Sequence, residues 1–272
     1  MKRFAPNSRA LVAVCAFYFA ASFVTVAHGE TPSPPPRPRL PLVSGVNEIL
    51  FLGEARDALA RAQAFENRNE IFGAVLEYER LIDQAATQAE SQHTYEYFMV
   101  LAGAHLEAAH ARLVYGGKFA NNLTLKEQNE ERVVAHLREI PGLVVAASKL
   151  GPPGDPRFKC EAYKLLANGL CFQGIVESNS ANLLRAIEIY HDVEKCDPGS
   201  AVQTGRMISY AKSLEADISK RVFRADNIAK VISKVVSLSV PRFGNYLSAA
   251  VDFGYQVYRE KKSGEKMPMG PR

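Results

Sequence analysis

The feature that most constrains the fold is a helical spacing of apolar residues that runs almost unbroken from residue 46 to residue 224. Along this stretch apolar side chains recur every three or four residues, and the alternation typical of strands is rare. Each helix of this kind carries an apolar stripe that must be buried against another element. The sequence therefore predicts an all-α fold.

Short polar connections predict how the first helices pack. One helix is expected from about Val46 to Phe65 and the next from about Glu70 to Ala89, with only the four polar residues 66–69 between them. A connection this short forces two helices into an antiparallel αα-hairpin.

Further breaks divide the rest of the chain into helices. A third helix is expected from about residue 91 to Tyr115, where Gly116-Gly117 favours a C-cap. Thr124-Leu125-Lys126-Glu127 has the spacing of a capping box and predicts the start of a fourth helix, which we expect to stop near Pro141. After another short helix and a break at residues 151–154, the pattern predicts three more helices, at residues 157–177, 182–196 and 200–224.

Two of the predicted hairpins share a spacing of small and aromatic residues. In the later hairpin the spacing is carried by Gly174, Ala186, Tyr190 and Pro198. In the earlier one it is carried by Ala62, Ala74 and Tyr78, with Ala86 in place of the proline. This pattern resembles the tetratricopeptide repeat, a helix-turn-helix of about 34 residues, and implies hairpins stacked as a solenoid. Ala74 and Ala186 are 112 residues apart, which is not a multiple of that length, so an irregular helical bundle with two repeat-like hairpins is the alternative.

The resemblance also implies a function. Tetratricopeptide proteins are scaffolds that bind extended peptides or partner proteins along a concave face formed by their first helices. The resemblance places these residues in such a partner groove: Arg56, Leu59, Gln63, Glu66, Asn67, Asn168, Cys171, Ile175, Ser178 and Asn179. The alternative for all of them is ordinary packing against a neighbouring helix.

The N-terminal residues have the layout of a secretory signal peptide. Lys2, Arg3 and Arg9 precede an apolar run at residues 10–26, and Ala27-His28-Gly29 supplies the small residues of a cleavage site. We expect export to an extracellular, periplasmic or endomembrane space. The alternatives are an uncleaved membrane anchor at residues 10–27 and an organellar transit peptide.

The sequence thus divides into five predicted segments. They are a signal peptide at residues 1–29, a proline-rich linker at 30–44, a helical-repeat domain at 45–225, a basic amphipathic helical segment at 226–258 and a disordered tail at 259–272.

The body of the chain is acidic and its C-terminal part is basic. Residues 30–219 contain 19 Lys and Arg against 25 Asp and Glu, whereas residues 220–272 contain 11 against 4. Two apolar stripes, at residues 228–240 and 246–258, are separated at Pro241, which argues against a single membrane span. We expect both stripes to cap the open end of the helical array. The alternatives are attachment of the first stripe to an anionic membrane and docking on a partner.

Three cysteines remain after the predicted signal peptide: Cys160, Cys171 and Cys196. Cys160 and Cys171 are eleven residues apart on one predicted helix, which separates them by about 16 Å and exceeds the reach of a disulfide. The repeat alignment places Cys171 and Cys196 at similar heights, so the resemblance predicts a Cys171–Cys196 disulfide. A Cys160–Cys196 disulfide and three buried thiols are the alternatives.

Asn122-Leu123-Thr124 is an acceptor sequence for N-glycosylation in a predicted loop. Such sequences also arise by chance. Asn122 is a candidate site only if the pathway of export is eukaryotic.

The sequence contains no convincing catalytic, cofactor or metal site. Glu107-Ala108-Ala109-His110 has the Glu-x-x-His spacing of di-metal bundles, but interhelical or surface histidines are the simpler interpretation. His105 and His110 are five residues apart, about 140° around a helix, so they do not easily share a metal. Glu127, Glu130 and Glu131 are expected on a solvated helix face.

Two hypotheses about function follow. The first is an exported, non-catalytic scaffold that binds a protein or peptide partner. The second is a peripheral membrane protein attached through residues 226–258. Nucleic acid is not an expected partner of an exported protein.

Overall fold

The computed structural model describes residues 44–88, 93–116, 122–151, 155–220 and 245–263. Within these residues there is no β-strand, and the helices are α1 (Ser44–Asn67), α2 (Ile71–Ala86), α3 (Tyr95–Gly116), α4 (Leu123–Leu150), α5 (Pro156–Val176), α6 (Ser180–Cys196), a short 3-10 helix (Pro198–Ser200), α7 (Ala201–Ser219) and α8 (Asn245–Ser263). They pack against one another as a bundle, which confirms the all-α prediction. The predicted signal peptide, the linker up to residue 43, the first C-terminal stripe and the tail beyond residue 263 lie outside the described residues. Ser44, the last residue of the predicted linker, is the first residue of α1.

Both predicted hairpins are present, and their turns have the same backbone geometry. Asn69 lies in the left-handed region between α1 and α2 (φ 59°), as does Ser178 between α5 and α6 (φ 50°). In each turn a backbone N–H donates to the carbonyl five residues earlier, from Glu70 to Phe65 at 2.9 Å and from Asn179 to Gly174 at 2.8 Å. This bond ends the first helix and reverses the chain.

The two turns do not follow the spacing of the repeat resemblance. Asn69 and Ser178 are 109 residues apart, whereas the matched repeat positions Ala74 and Ala186 are 112 apart. One alignment therefore cannot match both the turns and the small residues. The residues of the repeat pattern are nevertheless buried where helices meet, namely Ala62, Ala74, Tyr78, Ala186 and Tyr190.

Helix α3 is the centre of the described fold. It packs against α1, α2, α4, α5 and α8, and every residue from Tyr95 to Leu113 except Phe98 is buried. A helix that is apolar on all sides is expected in an interior, and Met99 to Ala104 contains no polar side chain. Four ionisable side chains follow in the same buried helix: His105, Glu107, His110 and Arg112.

The predicted capping box of α4 is wrong. The helix begins at Leu123, and the N-cap is Asn122, whose Oδ1 accepts a hydrogen bond from the Leu125 N–H at 3.1 Å. Thr124 therefore lies inside the first turn. The asparagine precedes the first helical residue directly, where its short amide satisfies a backbone donor.

The predicted stop near Pro141 is also wrong, because α4 continues through the proline to Leu150. The buried stripe of this helix extends on both sides of the proline, through Leu137, Ile140, Val144 and Ala147. Burying these side chains outweighs the roughly 3 kcal/mol that proline costs inside a helix.

The second C-terminal stripe forms α8, which packs chiefly on α3 and α1. Its buried face consists of Leu247, Ala250, Val251, Phe253 and Val257. Gly254 permits the close approach, because a Cβ atom there would lie 2.7 Å from Leu52 Cδ2. This stripe was expected to cap the open end of the helical array, and in the structure it lies on α3 and α1.

Residues 259–263, predicted to belong to a disordered tail, form the last turns of α8. Arg157 donates to both carboxylate oxygens of Glu260, at 2.6 and 2.8 Å. Lys261 donates to Glu96 of α3 at 3.2 Å. Part of the basic C-terminal region thus contacts the protein's own carboxylates, and the helix extends past residue 258.

Candidate binding cleft

The predicted groove residues on α1 lie partly beneath α8. Arg56 and Leu59 line a recess that they share with Val251 and Tyr255 of α8. Side chains of this chain therefore already lie along this part of the predicted groove. Gln63, Glu66 and Asn67 follow near the end of α1 and are half-buried or exposed.

The predicted groove residues on α5 have different environments. Cys171 and Ile175 are wrong as groove residues, because both are buried in the core. Ser178 occupies the left-handed position of the turn, and Asn179 is the N-cap of α6, with its Oδ1 accepting from the Ala181 N–H at 3.0 Å. Only Asn168 lines a cavity that could receive a ligand.

That cavity is a cleft of about 210 Å³ between the helices α5 to α7 on one side and α8 on the other. One face of α5 supplies Glu161, Lys164, Leu165 and Asn168, which recur at helical spacing. The other apolar lining residues are Met99, Val193, Met207, Ala249, Ala250 and Phe253. The other polar ones are Tyr190, Ser200, Gln203 and Thr204.

The charged edge of the cleft is an ion-pair cluster. The ammonium group of Lys164 lies 2.9 Å from Glu161 Oε1 and 2.7 Å from Asp197 Oδ2. Burial opposes the charge of Lys164, but the two carboxylates outweigh it and raise its pKa. Burial likewise opposes the charge of Asp197, yet the hydrogen bond from Lys164 lowers its pKa. Lys164 and Asp197 are therefore both charged at neutral pH.

Asn168 is held in place by Tyr190. The Tyr190 hydroxyl donates to Asn168 Oδ1 at 2.7 Å. Both residues line the cleft, one from α5 and the other from α6. The hydrogen bond fixes the asparagine amide at the cleft wall, with its nitrogen able to act as a donor.

A disulfide near the cleft joins Cys160 to Cys196, with their Cα atoms 5.8 Å apart, so the predicted Cys171–Cys196 pairing is wrong. Cys160 and Cys196 are each 18 residues from Ser178, on opposite sides of the turn. Antiparallel helices bring such positions to the same height, whereas Cys171 is only 7 residues from Ser178. Cys171 is a free, buried cysteine, and burial raises the pKa of its thiol to about 12.

A chain of buried and half-buried polar groups connects α2, α3 and α4. Arg112 of α3 donates to Glu79 of α2 and, at 3.2 Å, to Asn129 Oδ1 of α4. His136 of α4 lies between Glu79 and His105 of α3. Its Nε2 is 3.2 Å from Glu79 Oε1, and its Nδ1 is 3.2 Å from the Nδ1 of His105. Because a carboxylate only accepts, His136 donates from Nε2. The chain holds three helices together through side-chain hydrogen bonds.

The environment of this chain perturbs two of its groups. Burial opposes the charge of Glu79, but hydrogen bonds from His136 and Arg112 lower its pKa to about 2. Burial, together with the nearby His136, lowers the pKa of His105 to about 3. At neutral pH Glu79 is therefore ionised and His105 is neutral.

Glu107 and His110 lie in the core on another side of α3. His110 Nδ1 is 3.6 Å from Glu107 Oε2, and the imidazole ring is stacked on Phe172 of α5, with centroids 6.2 Å apart. Burial and the charge of Glu107 raise the pKa of Tyr78 above its ordinary range. His105 contacts His136, so the two α3 histidines have different neighbours.

Among the described residues, no group of three or more His, Cys, Asp or Glu side chains is placed to hold a metal ion. Glu127 and Glu131 are exposed and Glu130 is half-buried, as expected of a solvated face. Asn122 is exposed, and its cap uses Oδ1, which leaves the amide nitrogen of the acceptor sequence accessible.

Sequence reasoning missed the polar chain and most of the cleft. The polar chain could have been found from the sequence, because four ionisable residues, at positions 105, 107, 110 and 112, follow the apolar run from Met99 to Ala104 in one helix. Such residues must find partners when they are buried. The cleft had no local signal, because its walls come from helices far apart in sequence.

None of the described helices combines the length and the apolar character needed to cross a bilayer. No protein-family model matches the chain, and neither a curated protein nor a solved structure is detectably similar to it.

Proposed function

We propose that this protein is an exported, non-catalytic binding protein that takes a peptide segment of a partner protein into the cleft. The observation that carries the proposal is the composition of the cleft wall. It has an apolar floor, with Met99, Met207 and Phe253, and a few polar side chains, Asn168 among them. Binding sites typically combine these two properties.

Two features support export. The first is the N-terminal layout of basic residues, apolar run and small residues. The second is the pair of cysteines at disulfide distance, Cys160 and Cys196, because disulfides persist in oxidising compartments. N-terminal sequencing of the mature protein tests this part: a start at Glu30 is expected, and an intact Met1 would favour an anchor at residues 10–27.

The repeat resemblance supports a scaffold role. Asn168 and Tyr190 belong to the α5–α6 hairpin, which carries the fuller copy of the repeat spacing, and both line the cleft. The peptide would contact this hairpin and α7 on one side and α8 on the other.

A role in membrane attachment has less support. The apolar residues of α8, such as Leu247 and Val251, are buried against the bundle. Membrane binding would have to use the stripe at residues 228–240, which lies outside the described residues.

Selection from a random peptide library displayed on phage tests the cleft directly. The full mature protein is the bait, and Ala249→Trp is the variant that fills the cleft. Ala60→Trp, at an exposed position of α1, is the matched control. We expect selected peptides to bind the wild type and A60W equally and A249W at least tenfold more weakly.

Peptides that bind A249W as well as the wild type would contradict the proposal, as would a selection that enriches none. Circular dichroism and thermal unfolding of both tryptophan variants establish that each is folded.

A further inference from the structure

We infer that the ligand of the cleft is a basic peptide segment, with a linear apolar side chain next to a Lys or Arg, and that the cleft rejects anionic ligands. The inference rests on the proposed function and adds the chemistry of the partner. Its evidence is the arrangement of charge at the edge of the cleft.

The single lysine that lines the cleft is not available as an anion site. Lys164 contacts Glu161 at 2.9 Å and Asp197 at 2.7 Å. A ligand carboxylate would have to displace one of them or approach two carboxylates at short range. Repulsion between like charges at a partly buried site disfavours both outcomes.

The same three side chains carry a net negative charge. Two carboxylates face one ammonium group, and Glu161 is only 16% exposed. The charge of Glu161 also contributes to the raised pKa of the buried Tyr95, so its field extends into the surrounding protein. A cationic side chain entering beside Glu161 would neutralise this charge, which is complementarity of the kind that sets specificity.

The floor of the cleft fits an unbranched aliphatic chain. Two of its residues, Met99 and Met207, are themselves flexible and polarizable, and methionines adapt to ligands of variable shape. The methylene groups of a methionine or lysine side chain suit such a surface.

The wall of the cleft offers hydrogen bonds of the type that a peptide backbone uses. Asn168 Oδ1 is engaged by Tyr190 at 2.7 Å, which leaves the amide nitrogen as a donor to a backbone carbonyl. Thr204 of α7 and Ser200 of the short helix before it add hydroxyl groups on the same side of the cleft. An extended peptide presents carbonyl and N–H groups alternately, so it can use both kinds of partner.

Matched peptides provide the test. The tightest binder from the phage selection is synthesised with its basic residue unchanged, replaced by Gln and replaced by Glu. Titration by fluorescence anisotropy should rank them basic, neutral and acidic, with the acidic peptide at least tenfold weaker than the basic one. Glu161→Gln should weaken the basic peptide about three- to tenfold and leave the neutral one unchanged.

Glu188→Gln is the control for E161Q, because it makes the same change of charge at an exposed position of α6. It should alter none of the affinities. Dodecanoate, as a simple anionic lipid, should fail to displace the basic peptide.

The failures of the two proposals are distinguishable. Selection of acidic peptides that lose binding to A249W, or displacement by dodecanoate, would overturn the inference and leave the cleft as the binding site. Binding that is insensitive to A249W would overturn the proposed function itself.

Discussion

The hairpins α1–α2 and α5–α6 have the same turn but pack their helices in opposite ways. In α1–α2 the small residue is on the second helix, where a Cβ on Gly73 would lie 2.3 Å from the ring of Phe65. In α5–α6 it is on the first helix, where a Cβ on Gly174 would lie 2.7 Å from Leu183. The comparison teaches that the turn alone does not determine which helix must supply the glycine.

The hairpins also differ in how they are tied to their surroundings. Helix α2 is joined to α3 and α4 by the polar chain of Glu79, Arg112 and His136, of which Arg112 is buried. Helices α5 and α6 are joined to each other by the Cys160–Cys196 disulfide. We therefore expect the first hairpin to respond to acid and the second to loss of the cross-link.

The largest expected effect comes from removing the disulfide. Replacing Cys160 and Cys196 together by serine should lower the free energy of unfolding by about 4 kcal/mol, from the loop entropy of a 36-residue separation. Urea unfolding measures it. Cys171→Ala, which leaves the cross-link intact, is the control, and equal losses for the two variants would contradict the assignment.

Breaking the polar chain of the first hairpin should have the next largest effect. Arg112→Met leaves Glu79 without its buried partner and should cost about 3 kcal/mol. Arg80→Met removes an ion pair whose arginine is 49% exposed and should cost less than about 1 kcal/mol. If the two variants unfold at the same urea concentration, the Arg112–Glu79 ion pair does not stabilise the protein more than an exposed ion pair does.

Replacing the glycine at each helix contact, Gly73 or Gly174, tests how tightly the two hairpins pack. Gly174→Ala should destabilise the protein by about 2 kcal/mol, because Leu183 is fully buried and cannot move aside. Gly73→Ala should cost less, since Phe65 is only partly buried and its ring can rotate, and alanine favours the helix. Thermal unfolding of both variants measures the difference, and the reverse order would refute this account.

Between pH 6.5 and 5.5, acid should lower the stability of the protein by the smallest of these amounts, through His105 of α3, which contacts His136 of the polar chain. His105 stays neutral in the folded protein because its pKa is lowered to about 3, whereas in the unfolded chain it takes up a proton near pH 6.5. The unfolded state then binds more protons as pH falls, so stability is full above about pH 6.5 and declines from there towards pH 3. The loss from pH 6.5 to 5.5 should be about 1 kcal/mol.

The pH effect is measured by urea unfolding at each pH. His105→Gln should remove the added dependence, whereas His191→Gln, at a histidine that is 47% exposed, should not. A wild-type slope that persists in H105Q would show that another group is responsible.

Much of the fold was predictable because helices leave local signals. The hairpin at residues 66–69 followed from the length of its connection, and the break at residues 151–154 from its glycines and prolines. The errors at Thr124 and Pro141 have different causes. Several residues competed for a cap in one case, and buried packing outweighed a local preference in the other.

The candidate site was predictable only in part. Asn168, one of the predicted groove residues, lines the cleft together with other residues of the same face of α5, and its role in binding a partner stays a prediction. Cys171 and Ile175 are on nearly the same face, but α5 is covered by other helices at their height. The spacing of residues along one helix predicts the direction in which a side chain points. It does not predict whether another helix covers that side chain.

The sequence by itself determined that the chain is all-α and where most of the helices break. It also determined that Cys160 and Cys171 cannot pair within one helix. All three conclusions depend on residues that are close together in the sequence. Only the tertiary structure decided that Cys160 pairs with Cys196, that α8 packs on α1 and α3, and that a cleft forms between α5 and α8. Each of these depends on the height and orientation at which distant helices meet. That geometry is set by the packing of whole helix faces.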